Sequence, residues 1–326
     1  MVWRRLLLDE HPHVATSLNN LALLYHSQRR YAEAEPLYQQ ALELWRRLLL
    51  DEHPDVATSL NNLAELYRSQ GRYTEAEALN QQALELRRRL LLDEHPDVAQ
   101  SVSNLGELYH SQGRYTEAEA LNQQALELRR RLLLEEHPYV ALSLNNLAEL
   151  YRSQGRYTEA EALNQQALEL RRRLLLEEHP YVALSLNNLA ELYRSQGRYT
   201  EAEPLYQQAL ELRRRLLLDE HPDVAFSLNN LAGLYRSQGR YTEAEPLYQQ
   251  ALELRRRLLL DEHPDVAFSL NNLAGLYRSQ GRYTEAEPLY KQALEIREQR
   301  LGVNHPHTVT VRENLANLRT QLASEQ

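Results

Sequence analysis

HPYVALSLNNLAELYRSQGRYTEAEPLYQQALELRRRLLLDE, residues 179–220, is a 42-residue sentence that the chain repeats almost end to end. It restarts at His11, His53, His95, His137, His221 and His263, and a partial copy begins at His305. Self-similarity at a fixed period of this length is the mark of a stacked solenoid, in which each unit leans on its neighbours. Counting each copy from its histidine, position 2 is always proline, as in Pro12, Pro54 and Pro180. Proline suits the first turn of a helix, where its missing N–H has no bond to lose. Val182, Leu186, Leu189 and Tyr193 then follow at spacings of three and four, one face of an α-helix. Gly197 ends the run and supplies left-handed backbone for a C-cap. Thr200 with Glu203 three residues on reads as a capping box that opens a second helix. That helix is expected to bury Ala202, Leu205, Ala209, Leu212 and Leu216. The fold class is therefore all-α, a solenoid of antiparallel helix pairs joined by short glycine turns.

At 326 residues the length alone would suggest two globular domains, and the period overrides it. Seven repeats are expected, at 11–52, 53–94, 95–136, 137–178, 179–220, 221–262 and 263–304. A partial helix at 1–10 precedes them and a capping helix at 305–326 follows. Residues Trp3 to Glu10 match Trp45 to Glu52, so the chain opens in mid-repeat, as a small cap or as a fragment of a longer array. Repeat one is irregular, with Arg29 for the turn glycine and Ala32 for the capping threonine. At the other end Gly302 reads as a helix stop, and Arg312 and Arg319 replace core residues. A last helix with a polar outer face keeps a solenoid from stacking further.

Cysteine is absent, which removes disulfides, thiolate metal sites and thiol nucleophiles. The opening residues lack the apolar core of a signal peptide, and no run approaches membrane-spanning length. The expectation is a cytoplasmic protein with no membrane partner. A net charge of −9 argues against nucleic acid. The arginine triplets, such as Arg87-Arg88-Arg89, read as a solvated face laced to Glu85 and Asp93 at helical spacing. The His-Pro histidines lie one whole repeat apart and cannot share a coordination sphere, so they are helix starts and not metal ligands. No phosphate loop, nucleophile elbow or zinc-helix motif occurs, so neither a cofactor nor enzymatic activity is expected.

The asparagines are less easily dismissed. Position 9 carries Asn19, Asn61, Asn145, Asn187, Asn229 and Asn271, each followed by a second asparagine at position 10. Asparagine in mid-helix costs roughly 0.5–0.7 kcal/mol against alanine, so a paired ladder needs compensation. On a helical wheel position 9 points away from the core stripe, towards positions 6, 13 and 16. It is read as ligand-facing, the alternative being a bond to the next repeat; position 10 is read the other way round. The same face holds much of the variation between copies. Position 6 includes Leu142, Leu184, Phe226 and Phe268; position 13 includes Glu149, Glu191, Gly233 and Gly275; position 16 includes Arg152, Arg194, Arg236 and Arg278. Exposed Leu and Phe there do nothing for the core, and the two glycines are expected to open space beside Phe226 and Phe268. Drift on a solvated face would also vary these positions. The alternative is a groove, apolar at its C-terminal end, that suits an extended peptide.

These residues resemble a known family. Leu189-Ala190 then Tyr193 in the first helix, with Ala202, Tyr206 and Ala209 in the second, look like a tetratricopeptide repeat. The 42-residue period and Leu301-Gly302 followed by His305-Pro306 are similar to the kinesin light chain subclass. The resemblance implies a right-handed superhelix with first helices lining the concave side and peptide ligands held there partly by asparagines. No heptad segment for a motor heavy chain is present, and the groove lacks the lysines of a chaperone carboxylate clamp. The expected function is a non-catalytic scaffold whose partner is a protein or peptide. The alternative is a structural spacer or a head-to-tail self-associating array within a larger signalling protein.

Overall fold

The computed structural model describes residues 11–49, 51–133, 135–175, 177–217 and 219–325. Among them lie fifteen α-helices and no strand. The expected partial helix at 1–10 falls outside the described residues. Two compact units are distinguished, residues 1–154 and 155–326. The first holds α1 (Pro12–Ser27), α2 (Tyr31–Leu49), α3 (Pro54–Ser69), α4 (Tyr73–Leu91), α5 (Pro96–Ser111), α6 (Tyr115–Leu133) and α7 (Pro138–Ser153). The second holds α8 (Tyr157–Leu175), α9 (Pro180–Ser195), α10 (Tyr199–Leu217), α11 (Pro222–Ser237), α12 (Tyr241–Leu258), α13 (Pro264–Ser279), α14 (Tyr283–Leu301) and α15 (Pro306–Glu325).

Each first helix starts as the His-Pro pair predicts, with a detail the sequence did not suggest. The histidine is itself the N-cap: His221 Nδ1 accepts the N–H of Asp223 at 3.1 Å, with Pro222 in the first turn. The imidazole does the work usually left to Ser or Asp, satisfying one orphan amide. Gly197, Gly239 and Gly281 close the first helices at φ 73–74°, the left-handed region where a Cβ is strained. In repeat one Arg29 takes that conformation at φ 55°. The expected capping box does not form. The second helices start at tyrosine, one residue before the threonine, and their N-cap residues Arg72, Arg240 and Arg282 make no side-chain cap bond.

The glutamate assigned to that box instead straps one repeat to the next. Glu203 Oε1 accepts from Tyr235 Oη at 3.1 Å, and its Oε2 from Arg240 Nη1 at 2.6 Å. Arg240 lies 4.1 Å above the Tyr235 ring and also reaches Glu243. Glu77 with Tyr109 and Arg114 repeats this in the first unit. Hydrogen bonds from Arg114, Tyr109 and Gln112 outweigh the desolvation of Glu77 and hold its carboxyl below the usual range.

The core is wider than the predicted stripe. Val182, Leu186, Leu189 and Tyr193 are buried, and so are Ala183, Ala190 and Leu192 at 0% exposure. A first helix touches its own partner, the preceding second helix and the neighbouring first helices, so one apolar stripe is not enough. In the second helix Ala202, Ala209 and Leu212 are buried as expected, joined by Tyr206 and Leu210, while Leu205 and Leu216 are half-buried. Within each unit successive first helices touch one another and the second helices splay, which puts the first helices on the inner side of the stack. The edges differ from the middle. Leu24 of α1 is 50% exposed, whereas its equivalents Leu66, Leu108, Leu192 and Leu234 are fully buried. On α15, Arg312 bonds Glu298 and Arg319 bonds Glu287.

The arginine triplets are not one solvated face. Position 35, the first arginine, is buried: Arg87 6%, Arg129 2%, Arg213 4% and Arg255 5% exposed. Arg213 Nη1 donates to Ser227 Oγ at 2.6 Å and to the Asp223 carbonyl at 3.3 Å, both one repeat on. Burial lowers the basicity of Arg87, Arg129 and Arg213, and that of Arg171 to about 10. The other two arginines do form surface pairs, with different partners from those expected: Arg88 with Asp93, and Arg89 with Glu52 of the preceding repeat.

Candidate functional site

The asparagine ladder lies between first helices. Asn61, Asn145, Asn187 and Asn229 are 3–6% exposed, and Asn19 and Asn271 are half-buried. Four position-10 amides donate back to the position-9 amide of the preceding repeat. Asn62 Nδ2 meets Asn19 Oδ1 at 3.0 Å, Asn230 meets Asn187 at 2.7 Å, Asn272 meets Asn229 at 3.2 Å and Asn314 meets Asn271 at 3.1 Å. Position 9 in turn donates forward to the position-7 serine, Asn61 to Ser101 at 3.2 Å and Asn229 to Ser269 at 3.4 Å. These bonds between repeats are the compensation that a mid-helix asparagine needs. One rung is broken. Asn104 accepts from Gln100 at 2.7 Å, and Asn61 Oδ1 is left without a partner.

Positions 6, 13 and 16 share one side of the first helices. In the first unit Leu142 is half-buried, and Glu149 pairs with Arg152 one turn on, Nε to Oε2 at 2.8 Å. Glu65 pairs with Arg68 in the same way. Glu107 accepts from Asn146 at 2.7 Å, and desolvation raises its pKa. The histidines at position 16, His26 and His110, reach Ser69 and Ser153 at 3.0 and 2.9 Å, and burial lowers the pKa of both.

In the second unit Leu184 is half-buried, Phe226 is 36% exposed and Phe268 is half-buried. The two phenylalanines roof the buried arginines, Arg213 at 5.3 Å and Arg255 at 5.1 Å from the ring centres. Glu191 pairs with Arg194 at 3.0 Å and accepts from Tyr206 Oη at 2.6 Å. Burial and the Glu191 carboxylate together push the Tyr206 hydroxyl well above its ordinary pKa. Gly275 does not open space. A Cβ there would stand 2.8 Å from Arg236 Nη1, so the guanidinium already lies over the glycine, with its Nε 3.1 Å from Ser279 Oγ. Gly233 is different, for its Cβ would meet only Tyr248 Oη, at 3.5 Å.

A cavity of about 500 Å³ opens there between α9, α11 and α13, with Tyr248 of α12 in its lining. It gathers six of the residues singled out in the sequence: Glu191, Arg194, Asn229, Gly233, Arg236 and Phe268. Asn187, Leu184, Phe226, Asn271 and Arg278 are not in its lining. Sequence reasoning missed Ser237 and Ser279, which line the cavity at position 17. Their signal was available, since a serine recurs there one residue after every varied position-16 side chain. No helix among the described residues is long and apolar enough to cross a membrane.

Comparison with known proteins agrees with this architecture. The tetratricopeptide repeat profile matches residues 2–47, 13–89, 55–131, 97–173, 139–215, 181–257, 223–299 and 265–325. Among solved structures, a Podosopora anserina kinesin light chain with nearly identical TPR-like repeats is 30% identical. That alignment covers 63% of this chain and 98% of the other, at a TM-score of 0.52. BtubC (BKLC) from P. vanneervenii is 27% identical over 73% of this chain and 93% of its own, at 0.54. A Rap protein complexed with competence and sporulation factor shares the fold at 16% identity, covering 97% and 100% of the two chains, at 0.54. No curated protein matches. With matched repeats covering nearly its whole length and kinesin light chain-like structural neighbours, the chain belongs to the tetratricopeptide repeat family.

Proposed function

We propose that this repeat scaffold binds an extended peptide along the inner side of its first helices. The observation that carries the reading is the cavity between α9, α11 and α13, where charged, amide, hydroxyl and aromatic side chains from three successive repeats converge. An extended chain crossing the helices would meet a new set of positions 6, 13 and 16 at each repeat. Phe226 and Phe268 supply apolar contact, Arg194, Arg236 and Arg278 supply charge, and the pair Glu191–Arg194 sets register. The asparagines contribute edges of amides already bonded to one another, so they shape the floor more than they grip a ligand. The Rap protein bound to competence and sporulation factor supports the reading, as a helical-repeat neighbour solved in complex with that factor. The test is selection of decapeptides from a random displayed library on the immobilised chain. Retained peptides should lose at least tenfold in affinity for Phe268→Ala and Arg236→Ala chains. Peptides that bind both variants as well as the parent would refute the site.

A further inference from the structure

Comparing the repeats with one another isolates a place from which a carboxylate is missing while its partners remain. In repeat five Tyr206 donates to Glu191 Oε2 at 2.6 Å, and Arg194 holds the same carboxylate. Repeat six keeps the tyrosine and the arginine, as Tyr248 and Arg236, and has Gly233 where the glutamate stood. A side chain on Gly233 would start 3.5 Å from Tyr248 Oη, so the lost group would have pointed at that hydroxyl. Tyr248 is 3% exposed, and the charges that bear on it come from Arg236 and Arg194, not from a carboxylate. Arg236 forms no ion pair among the described residues. The cavity wall thus has two arginines against one glutamate, Glu191, leaving one positive charge.

The other repeats show the alternatives. In repeat seven the glutamate is again glycine, but Arg236 itself fills the space over Gly275. In repeat one Leu23 stands at the same position, and the Tyr38 hydroxyl is left buried without a partner. The place over Gly233 joins a cavity, a buried hydroxyl and an arginine with no acid paired to it among the described residues.

We infer that the cavity over Gly233 receives a carboxylate side chain from an acidic peptide, standing where Glu191 stands one repeat earlier. The inference rests on the peptide reading and names the residue chemistry that reading leaves open. A carboxylate is favoured over a phosphate because the missing group is itself a carboxylate and one positive charge awaits it. Tyr248 and Arg236 recognise the oxygens, and the absent side chain at Gly233 makes the room.

The probe is N-acetyl-glutamate N-methylamide, followed by the NMR signal of the Arg236 Nε–H in the full chain. The glutamine and phosphoserine counterparts serve as controls, and the Gly233→Glu chain as the blocked site. Glutamate is the native residue at this position in repeats two to five, so the variant is compatible with the helix. The expected result is a saturable shift with the glutamate probe at least tenfold tighter than with glutamine, abolished by Gly233→Glu. Equal response to glutamate and glutamine, an unchanged response in the variant, or tighter binding of phosphoserine would each overturn the assignment. Peptides selected without an acidic residue would leave the peptide reading standing and defeat this one. A library that yields no binder would defeat the peptide reading, while the probe titration still reports on the anion site.

Discussion

Replacing Asn229 with alanine separates a structural ladder from a ligand-binding one. Asn229 is 3% exposed, donates to Ser269 Oγ at 3.4 Å and to the Ala225 carbonyl at 3.0 Å, and accepts from Asn272 Nδ2 at 3.2 Å. Two of those bonds join repeats six and seven. At about 0.5–1.5 kcal/mol net for each, their loss costs about 1–3 kcal/mol. The bond to Ala225 runs within the same helix and adds little, because that carbonyl has its helical partner. Alanine returns about 0.6 kcal/mol of helix propensity. The net destabilisation is therefore about 1–2 kcal/mol, concentrated at the α11–α13 contact. A change at one repeat interface is read most directly where it acts. Native-state amide exchange in α11 and α13 is the suitable assay, with Asn272→Ala and the double variant completing a cycle. The two single changes should share a coupling of about 0.5–1.5 kcal/mol, the value of one amide–amide bond. Unchanged protection in Asn229→Ala, with no coupling to Asn272, would refute the structural account and return the asparagines to ligand binding.

Three further outcomes are expected. Ser227→Ala removes the 2.6 Å acceptor of buried Arg213 and should cost about 1.5–3 kcal/mol in urea unfolding, whereas Arg213→Met with Ser227→Ala should cost less than the serine change alone; Trp45, 8% exposed, already fills the equivalent position in repeat one. Gly233→Glu should raise stability by about 0.5 kcal/mol, because glycine in mid-helix is the poorer helix former, and a fall in thermal midpoint would contradict that. Burial lowers the pKa of His26 and His110 below that of an unfolded histidine, near about 6.5. Their contribution is intact above that pH and is lost as pH falls towards the folded-state values, because the unfolded chain then binds more protons. For His26, Glu65 opposes the shift while Arg68 and Arg29 add to it. Substituting glutamine at both positions should flatten the loss of thermal midpoint between about pH 7 and 5, and an identical slope would count against the assignment.

Much of the fold was legible because every decisive signal is local and repeated. Proline after histidine marked the helix starts, glycine after the glutamine marked the turns, and spacings of three and four marked the main core residues. The errors fell where a side chain had two possible partners, one within its own repeat and one in the next. Thr200 and Glu203 have capping-box spacing, yet Glu203 bonds Tyr235 and Arg240. Arg87 belongs to a triplet read as a solvated face, yet it is buried against Ser101. Asn187 and Asn229 sit on the helix side predicted to meet a ligand, and they are covered by the following repeat.

The sequence by itself determined the period, the helix pairs and the family, because the period shows as recurrence along the chain and each helix follows from residues fewer than about four turns apart. Only the tertiary structure decided what the polar residues do. Stacking brings position 9 against position 10 across 43 residues and places Arg236 over Gly275 rather than beside its own Gly233. A helical wheel gives the direction of a side chain but not the neighbour it meets, and in a solenoid that neighbour belongs to the next repeat. The open place over Gly233 follows from the same geometry, since a missing carboxylate matters only where the surrounding repeats still present its partners.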